Sequence, residues 1–516
     1  MGTKRLVVVL AVMLAMVLAL SAACGQAAMG GGGGCGGGGM GGGGGGMGGG
    51  GGVIDPPTSG AFVDPPEMDN MSMMPGMVMV DLEAKIAPVN VNGVTANLYT
   101  YNGYAPAPTI RVRQGDMLHV NLTNSLPLAG TNFLGFTRGV TNLHTHGLHV
   151  SPEEPADAAH LSIWPGETYN YEYDLMMQEP GCMNFYHGHS HGVSAEQYWG
   201  GMVGALIVED PTTALAGYET HLMILKDISL VGSAPAPHDS NMDYMHGLEG
   251  SVIMVNGKVN PTLAIRPGQV QRWRVLNASS ARFYKLSLQG HSLYVIGTDG
   301  GLLDKPYQQS YVILAPGERV DLLVKASTTR GSYKLLSLPY SRMGMMTSAQ
   351  ITLLTMACQG SSASGSLPKS INPDARRLNL DTSMFPKRTF VLSMSMGRAY
   401  INGKDFDVEP DMTMSDLGTH EVWEIVNQSG MDHPWHQHVN AAQVLSITGG
   451  DSAYRTLYTT TPAWKDTVLV PKMGSVKLLV PVMDWPGMTM YHCHILEHED
   501  IGMMGMWHIM GDGMPM

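Results

Sequence analysis

TIRVRQGDMLHVNLTNSL, Thr109 to Leu126, places apolar residues at alternate positions on both sides of a Gly-Asp pair. A strand sends successive side chains to opposite faces, so this is the form of a half-buried β-hairpin. Two further stretches share it: LAIRPGQVQRWRVLNAS, Leu263 to Ser279, and TMSDLGTHEVWEIVNQS, Thr413 to Ser429. Each ends in Asn followed by small or polar residues, and the spacing is about 150 residues. Three related β-sandwich domains are therefore expected, at 78–212, 213–370 and 371–516, the second boundary falling in the Ser-, Pro- and Gly-rich stretch from Gly360 to Pro373. Only 14% of the 516 residues are charged, and Gly (65) and Pro (31) are abundant. This composition suits an all-β chain with many turns better than a helical one.

The segment ahead of the repeats has a different character. Lys4 and Arg5 precede an uncharged apolar run from Leu6 to Leu20 and the small residues Ser21, Ala22 and Ala23, the pattern of an export signal over 1–23. Cys24 follows, an arrangement that resembles a bacterial lipoprotein signal, although Ser21 stands where Leu is usual. Two fates are open: lipidation of Cys24, which would attach the chain to a membrane, or simple cleavage after Ala23. With no Arg-Arg pair in the leader, export of an already folded chain is disfavoured, and a metal would be loaded after translocation. The expected location is the bacterial periplasm or cell envelope. Residues 30 to 52 are Gly apart from Cys35, Met40 and Met47. Such a tract cannot bury apolar surface and reads as a tether of about 25 Å mean reach. The Met- and Pro-rich stretch to Met77 extends this expected disordered linker over 24–77, with ordered structure starting near Val78.

Net charge is −13, which leaves no basic surface for nucleic acid. The 41 methionines are unusual. They include Met68, Met71, Met73, Met74 and Met77, then Met343, Met345 and Met346, then Met488 and Met490. Two readings stay open: soft thioether docking points for Cu(I), or gap-filling core and loop composition. Of the five cysteines, Cys182, Cys358 and Cys493 fall in folded sequence, and an oxidising compartment permits a Cys182–Cys358 disulfide.

Four His-x-His units carry the chemistry: His144 and His146, His187 and His189, His436 and His438, His492 and His494. On a strand, residues i and i+2 share a face, so each unit offers two imidazoles side by side. Two units fall in the first domain and two in the third, which points to one metal cluster between those domains. In YHCHILEHEDIGMM, Tyr491 to Met504, the same alternation turns Cys493 away from His492 and His494. With His433, His498 and Met503 it completes a second set of two His, one Cys and a weak axial Met, the donors of a blue-copper centre.

At these residues the chain resembles the multicopper oxidases, the family of laccases and bacterial cuprous oxidases. The resemblance runs from about Asn92 to the C-terminus and includes HTHG at His144, HGHSHG at His187, HPWHQH at His433 and HCHILEHEDIGMM at His492. It implies three consecutive cupredoxin-like Greek-key β-sandwich domains, the middle one copper-free, and four copper ions. Type 1 copper would take His433, Cys493, His498 and Met503; type 2 copper His144 and His436; the type 3 pair His146, His187, His189, His438, His492 and His494. His191 is expected to be an orienting or surface residue, and His149, His160, His246 and His291 to be structural or exposed. Glu499 and Asp157 are the candidate proton donors; for Glu499 and Asp500, orienting a ligand histidine is the alternative role.

The implied reaction couples four one-electron oxidations to reduction of dioxygen to water by a monomeric enzyme. The donor is a phenol, an aromatic amine or Cu(I). Only Met394 and Met396 precede Ile401, where cuprous oxidases carry a long Met- and His-rich insertion, so an uncovered type 1 site is expected. The alternatives are a copper-sequestering envelope protein for copper homeostasis and a Mn(II) or Fe(II) oxidase.

Overall fold

The computed structural model describes residues 53–344 and 347–511. The leader, Cys24, Cys35, the Gly tract, Met345 and Met346 lie outside the described residues.

Each of the three repeats forms two strands, but these are not hairpins. Ala107–Val112 pairs parallel with Val203–Val208, while Met117–Asn124 pairs parallel with Met77–Val91 in a different sheet. Thr262–Ile265 and Val270–Asn277 divide in the same way between the sheets containing Gln350–Cys358 and Glu219–Ile228. Asp411–Asp416 and Thr419–Asn427 pair with Met504–Met510 and Lys387–Ser395. In each domain the Gly turn therefore carries the chain from one sheet of a sandwich to the other. Both layouts give the same period of two, because alternation reports which face is buried and not which strand lies alongside.

The Asn that ends each repeat is a buried bracket. Asn124 donates to the carbonyls of Gly139 and Ile163, Asn277 to those of Arg282 and Leu314, and Asn427 to those of Met431 and Val470. Its side-chain oxygen accepts from the backbone N–H two residues on, at Leu126, Ser279 and Ser429. A buried amide must satisfy all these groups, so one residue pins the end of the strand to two loops.

Residues 53–77 are ordered, so the expected linker is corrected over 53–77. Val53–Ile54 adds a parallel strand beside Gln350 and Ile351, and Ala61 and Glu67 bridge to Thr262 and Thr109. Asp64 accepts from the Leu222 N–H at 2.6 Å, and Asn256 and Asn260 donate to the carbonyls of Val63 and Pro56. The segment has no core of its own; its backbone is satisfied by strand edges that other domains leave open. The permitted disulfide is also absent. Cys182 and Cys358 are both buried and free, and the Cys358 thiol donates to the Ser327 carbonyl.

A buried charge network joins the three domains. Arg319 reaches the Asp466 carboxylate with two N–H donors at 2.7 and 2.6 Å and the Met183 carbonyl with a third at 2.8 Å. Lys465 lies 2.8 Å from both Asp299 and Glu318. Burial opposes the Asp466 charge, but Arg319 outweighs it and takes the carboxyl down to about 2.

Two outcomes are expected. A chain starting at Val78 should melt roughly 3 °C or more below one starting at Val53, since several hydrogen bonds of about 1 kcal/mol each are lost; equal melting curves would contradict the role given to 53–77. Arg319→Leu should destabilise by about 3–5 kcal/mol in urea unfolding, because it leaves Asp466 buried and uncompensated.

Candidate metal centre

Strand register assembles the histidines. His144 lies directly opposite His187 in the first domain, and His436 opposite His492 in the third. The Gly of HTHG is needed here: Gly147 has φ +91°, and a Cβ would collide with the Arg319 guanidinium and the Asn184 amide. All eight rings of the four His-x-His units are at most 1% exposed. Nε2 of His144 and His436 are 3.4 Å apart, and Nε2 of His492 lies 3.1 Å from that of His189 and 3.2 Å from that of His438. His494 packs edge-on to His146, with 4.8 Å between ring centroids.

Neighbouring groups decide which nitrogen each ring presents. His187, His436 and His492 donate Nδ1–H to the carbonyls of Gly188, Asp466 and Cys493, leaving Nε2 as the free lone pair. His144 donates Nδ1–H to Asp157 Oδ2 at 2.8 Å. His146 is reversed: its Nε2 faces Asp466 Oδ1 at 3.0 Å, so Nδ1 is the free atom. Asp466, Arg319 and Thr467, which bonds His146 Nε2 at 2.9 Å, carry no motif of their own. Sequence reasoning missed them because their roles exist only where three domains meet.

Burial, with the crowding of neighbouring rings, keeps these imidazoles neutral: His189 and His494 fall to about 3, and His146, His187, His436, His438 and His492 lie well below the ordinary value. Nδ1 of His146, His189 and His438, Nε2 of His187 and both nitrogens of His494 have no hydrogen-bond partner among the described residues. Each such atom costs about 1–3 kcal/mol if left unsatisfied. Cations that accept imidazole nitrogen would satisfy them, so the donor set fits copper.

On the opposite face of the Gly487–Cys493 strand, Cys493 Sγ is 3.4 Å from His433 Nδ1 and 3.5 Å from His498 Nδ1, and those nitrogens are 3.1 Å apart. The other nitrogen of His433 bonds Ser429 Oγ at 2.7 Å, and that of His498 donates to the Met245 carbonyl at 3.3 Å. Met503 is fully buried in the same core as Cys493, and its carbonyl accepts from the Cys493 N–H at 3.0 Å. Burial holds the thiol well above its ordinary value, so a thiolate here requires a bound cation beside it.

The three carboxylates separate by contact. Asp157 binds His144 and the Thr145 N–H and hydroxyl. Despite its burial, these partners take its carboxyl below the usual value. Asp500 accepts from the N–H groups of Gly192 and Ala195 at the start of the helix Ser194–Gly200, which makes it an anchor for that helix. Glu499 lies 3.2 Å from His492 Nδ1 and 3.7 Å from His189 Nδ1. Burial, then the neighbouring Asp500, raises it well above the carboxylate range. His191 binds Asp407 at 2.7 Å, and His149 binds Asp484 at 2.8 Å and the Val439 carbonyl.

Family models described as multicopper oxidase match residues 83–213, 227–354 and 374–511. A laccase of Bacillus subtilis (strain 168) is 28% identical over 472 residues, covering 79% of this chain and 89% of that protein. A multicopper oxidase of Campylobacter jejuni, described as a metallo-oxidase, superposes with TM-score 0.76 at 27% identity over 90% of this chain and 98% of that one. A multicopper oxidase of the hyperthermophile Aquifex aeolicus does so with TM-score 0.74 at 26% identity over 88% and 99%. With three cupredoxin-type sandwiches and both histidine-lined centres in place, the chain belongs to the multicopper oxidase family of oxidoreductases.

Proposed function

We propose that the chain is a laccase-type oxidase holding four copper ions. His433, Cys493, His498 and Met503 hold type 1 copper, His144 and His436 type 2, and His146, His187, His189, His438, His492 and His494 the type 3 pair. When bound, these ions supply one-electron acceptance from the donor and the four-electron reduction of dioxygen to water. The observation that carries the proposal is the single strand linking the two donor sets. Cys493 belongs to one and both of its chain neighbours to the other, so the covalent path between them is the main chain itself.

The protein residues supply orientation and protons. Asp157 fixes the tautomer of His144, and Asp466, locked by Arg319, fixes that of His146. Glu499, buried between His189 and His492, holds a proton on its carboxyl close to where oxygen is reduced.

His498 is fully buried, so the donor docks outside its ring and its electrons cross the residues that cover it. The helix Asn241–His246 of the second domain packs against the helix Leu496–Asp500, and its Met245 carbonyl meets His498 Nε2, so the expectation of an uncovered type 1 site is corrected. Beside it, His246, Glu249, Tyr340, Arg342 and Met343 line an open recess of roughly 220 Å³. Its size and mixed lining suit a small phenol or aromatic amine, and the thioether and imidazole also suit Cu(I). Export by the leader, with either lipidation of Cys24 or cleavage after Ala23, and a monomeric state belong to the same proposal and rest on the sequence.

Cys493→Ser should abolish the blue colour and bring oxygen uptake to background with both Cu(I) and a simple phenol. Retained uptake would remove the type 1 assignment. Glu499→Gln should lower steady-state turnover about a hundredfold while the blue centre still bleaches at the normal rate when donor is added without oxygen; unchanged turnover would exclude the proton role.

A further inference from the structure

A cavity of roughly 410 Å³ opens between the first and third domains, and its lining includes the cluster histidine His189 together with Met490, Met504 and Met506. Register explains why three methionines meet there. Met490 lies directly opposite Met506, and His492 directly opposite Met504, on the adjacent antiparallel strands Gly487–Cys493 and Met504–Met510. Directly opposed residues project to one side with Cβ atoms about 5 Å apart, and so do residues i and i+2. Met506, Met490, Met504 and His492 therefore form one ladder on the cluster-facing side of this sheet, while Cys493 lies on the other side.

Burial is graded along the cavity. His160 and Trp164 are exposed, and His191 and Met506 are partly buried. Met490 is 6% and Met504 1% exposed. At the inner end, His189 Nε2 lies 3.1 Å from His492 Nε2. Leu or Ile would fill such a space equally well, so thioethers add only their sulfur, a soft ligand that favours Cu(I).

We propose that this methionine ladder is the port through which Cu(I) enters the histidine cluster, with copper passed from thioether sulfur to the imidazoles of His189 and His492. The transfer is a ligand exchange at constant oxidation state and needs no electron donor or acceptor. It rests on the reading of the histidine cluster as a copper site, and it deepens that reading by assigning the route of loading and the oxidation state of the ion delivered.

The test loads copper-free, full-length protein without oxygen, using buffered Cu(I) in one series and Cu(II) in another. Samples are withdrawn with time, freed of unbound copper and then oxidised in air, after which the copper-to-protein ratio and the optical and EPR signatures of each centre are read, since Cu(I) itself is colourless and EPR-silent. In the Met490→Leu/Met504→Leu/Met506→Leu variant, filling of the cluster by Cu(I) should slow about tenfold, with type 1 filling and Cu(II) loading unchanged; Met506→Leu alone, at the partly buried end, should show a smaller effect of the same kind. Cluster filling at the wild-type rate would overturn the port and leave the cavity as a route for dioxygen. Equal slowing with Cu(I) and Cu(II) would overturn it as a packing effect. Failure of the wild-type cluster to take up copper at all would instead refute the reading on which the port rests.

Discussion

A β-strand sends neighbouring side chains to opposite faces, and at His492-Cys493-His494 that rule separates two chemistries by a single residue. The thiol is confined to a pocket with His433 and His498, while its two neighbours face the other histidines. The remaining architecture surrounds this strand, with His436 placed opposite His492 by register and the first domain contributing the other half of the cluster.

The second domain contributes no histidine to the cluster, yet the cluster depends on it. Arg319 spans from that domain to Asp466 in the third and to the Met183 carbonyl in the first. Asp466 in turn selects the nitrogen that His146 presents. A fully buried ion pair is a weak source of net stability but a strong constraint on geometry, since either charge alone is untenable in that environment. The middle domain thus clamps the other two in the arrangement that a cluster shared between them requires, and its helix Asn241–His246 also covers part of the outer centre.

Much of the site was legible because metal ligation demands particular residue types at particular spacings. His-x-His with a cysteine at the centre of one unit has few other uses, and the expected ligands do come together in two groups. The carboxylates were less legible. Asp157, Glu499 and Asp500 look equivalent in the sequence, but one binds a histidine, one lies buried between two histidines and one anchors a helix. Acidic side chains take their roles from what surrounds them, and those surroundings come from distant parts of the chain.

By itself the sequence determined the all-β class, the threefold repetition and the candidate metal-ligating residues, since period-two burial and ligand chemistry are local properties. Only the tertiary structure decided that each repeat crosses between sheets, that residues 53–77 run along open strand edges, and that Cys182 and Cys358 stay apart. It also decided which ring nitrogen faces the cluster and which methionines share a cavity. These are relations between residues up to hundreds of positions apart, set by strand register and by burial of charge where the domains meet, and no local pattern encodes them.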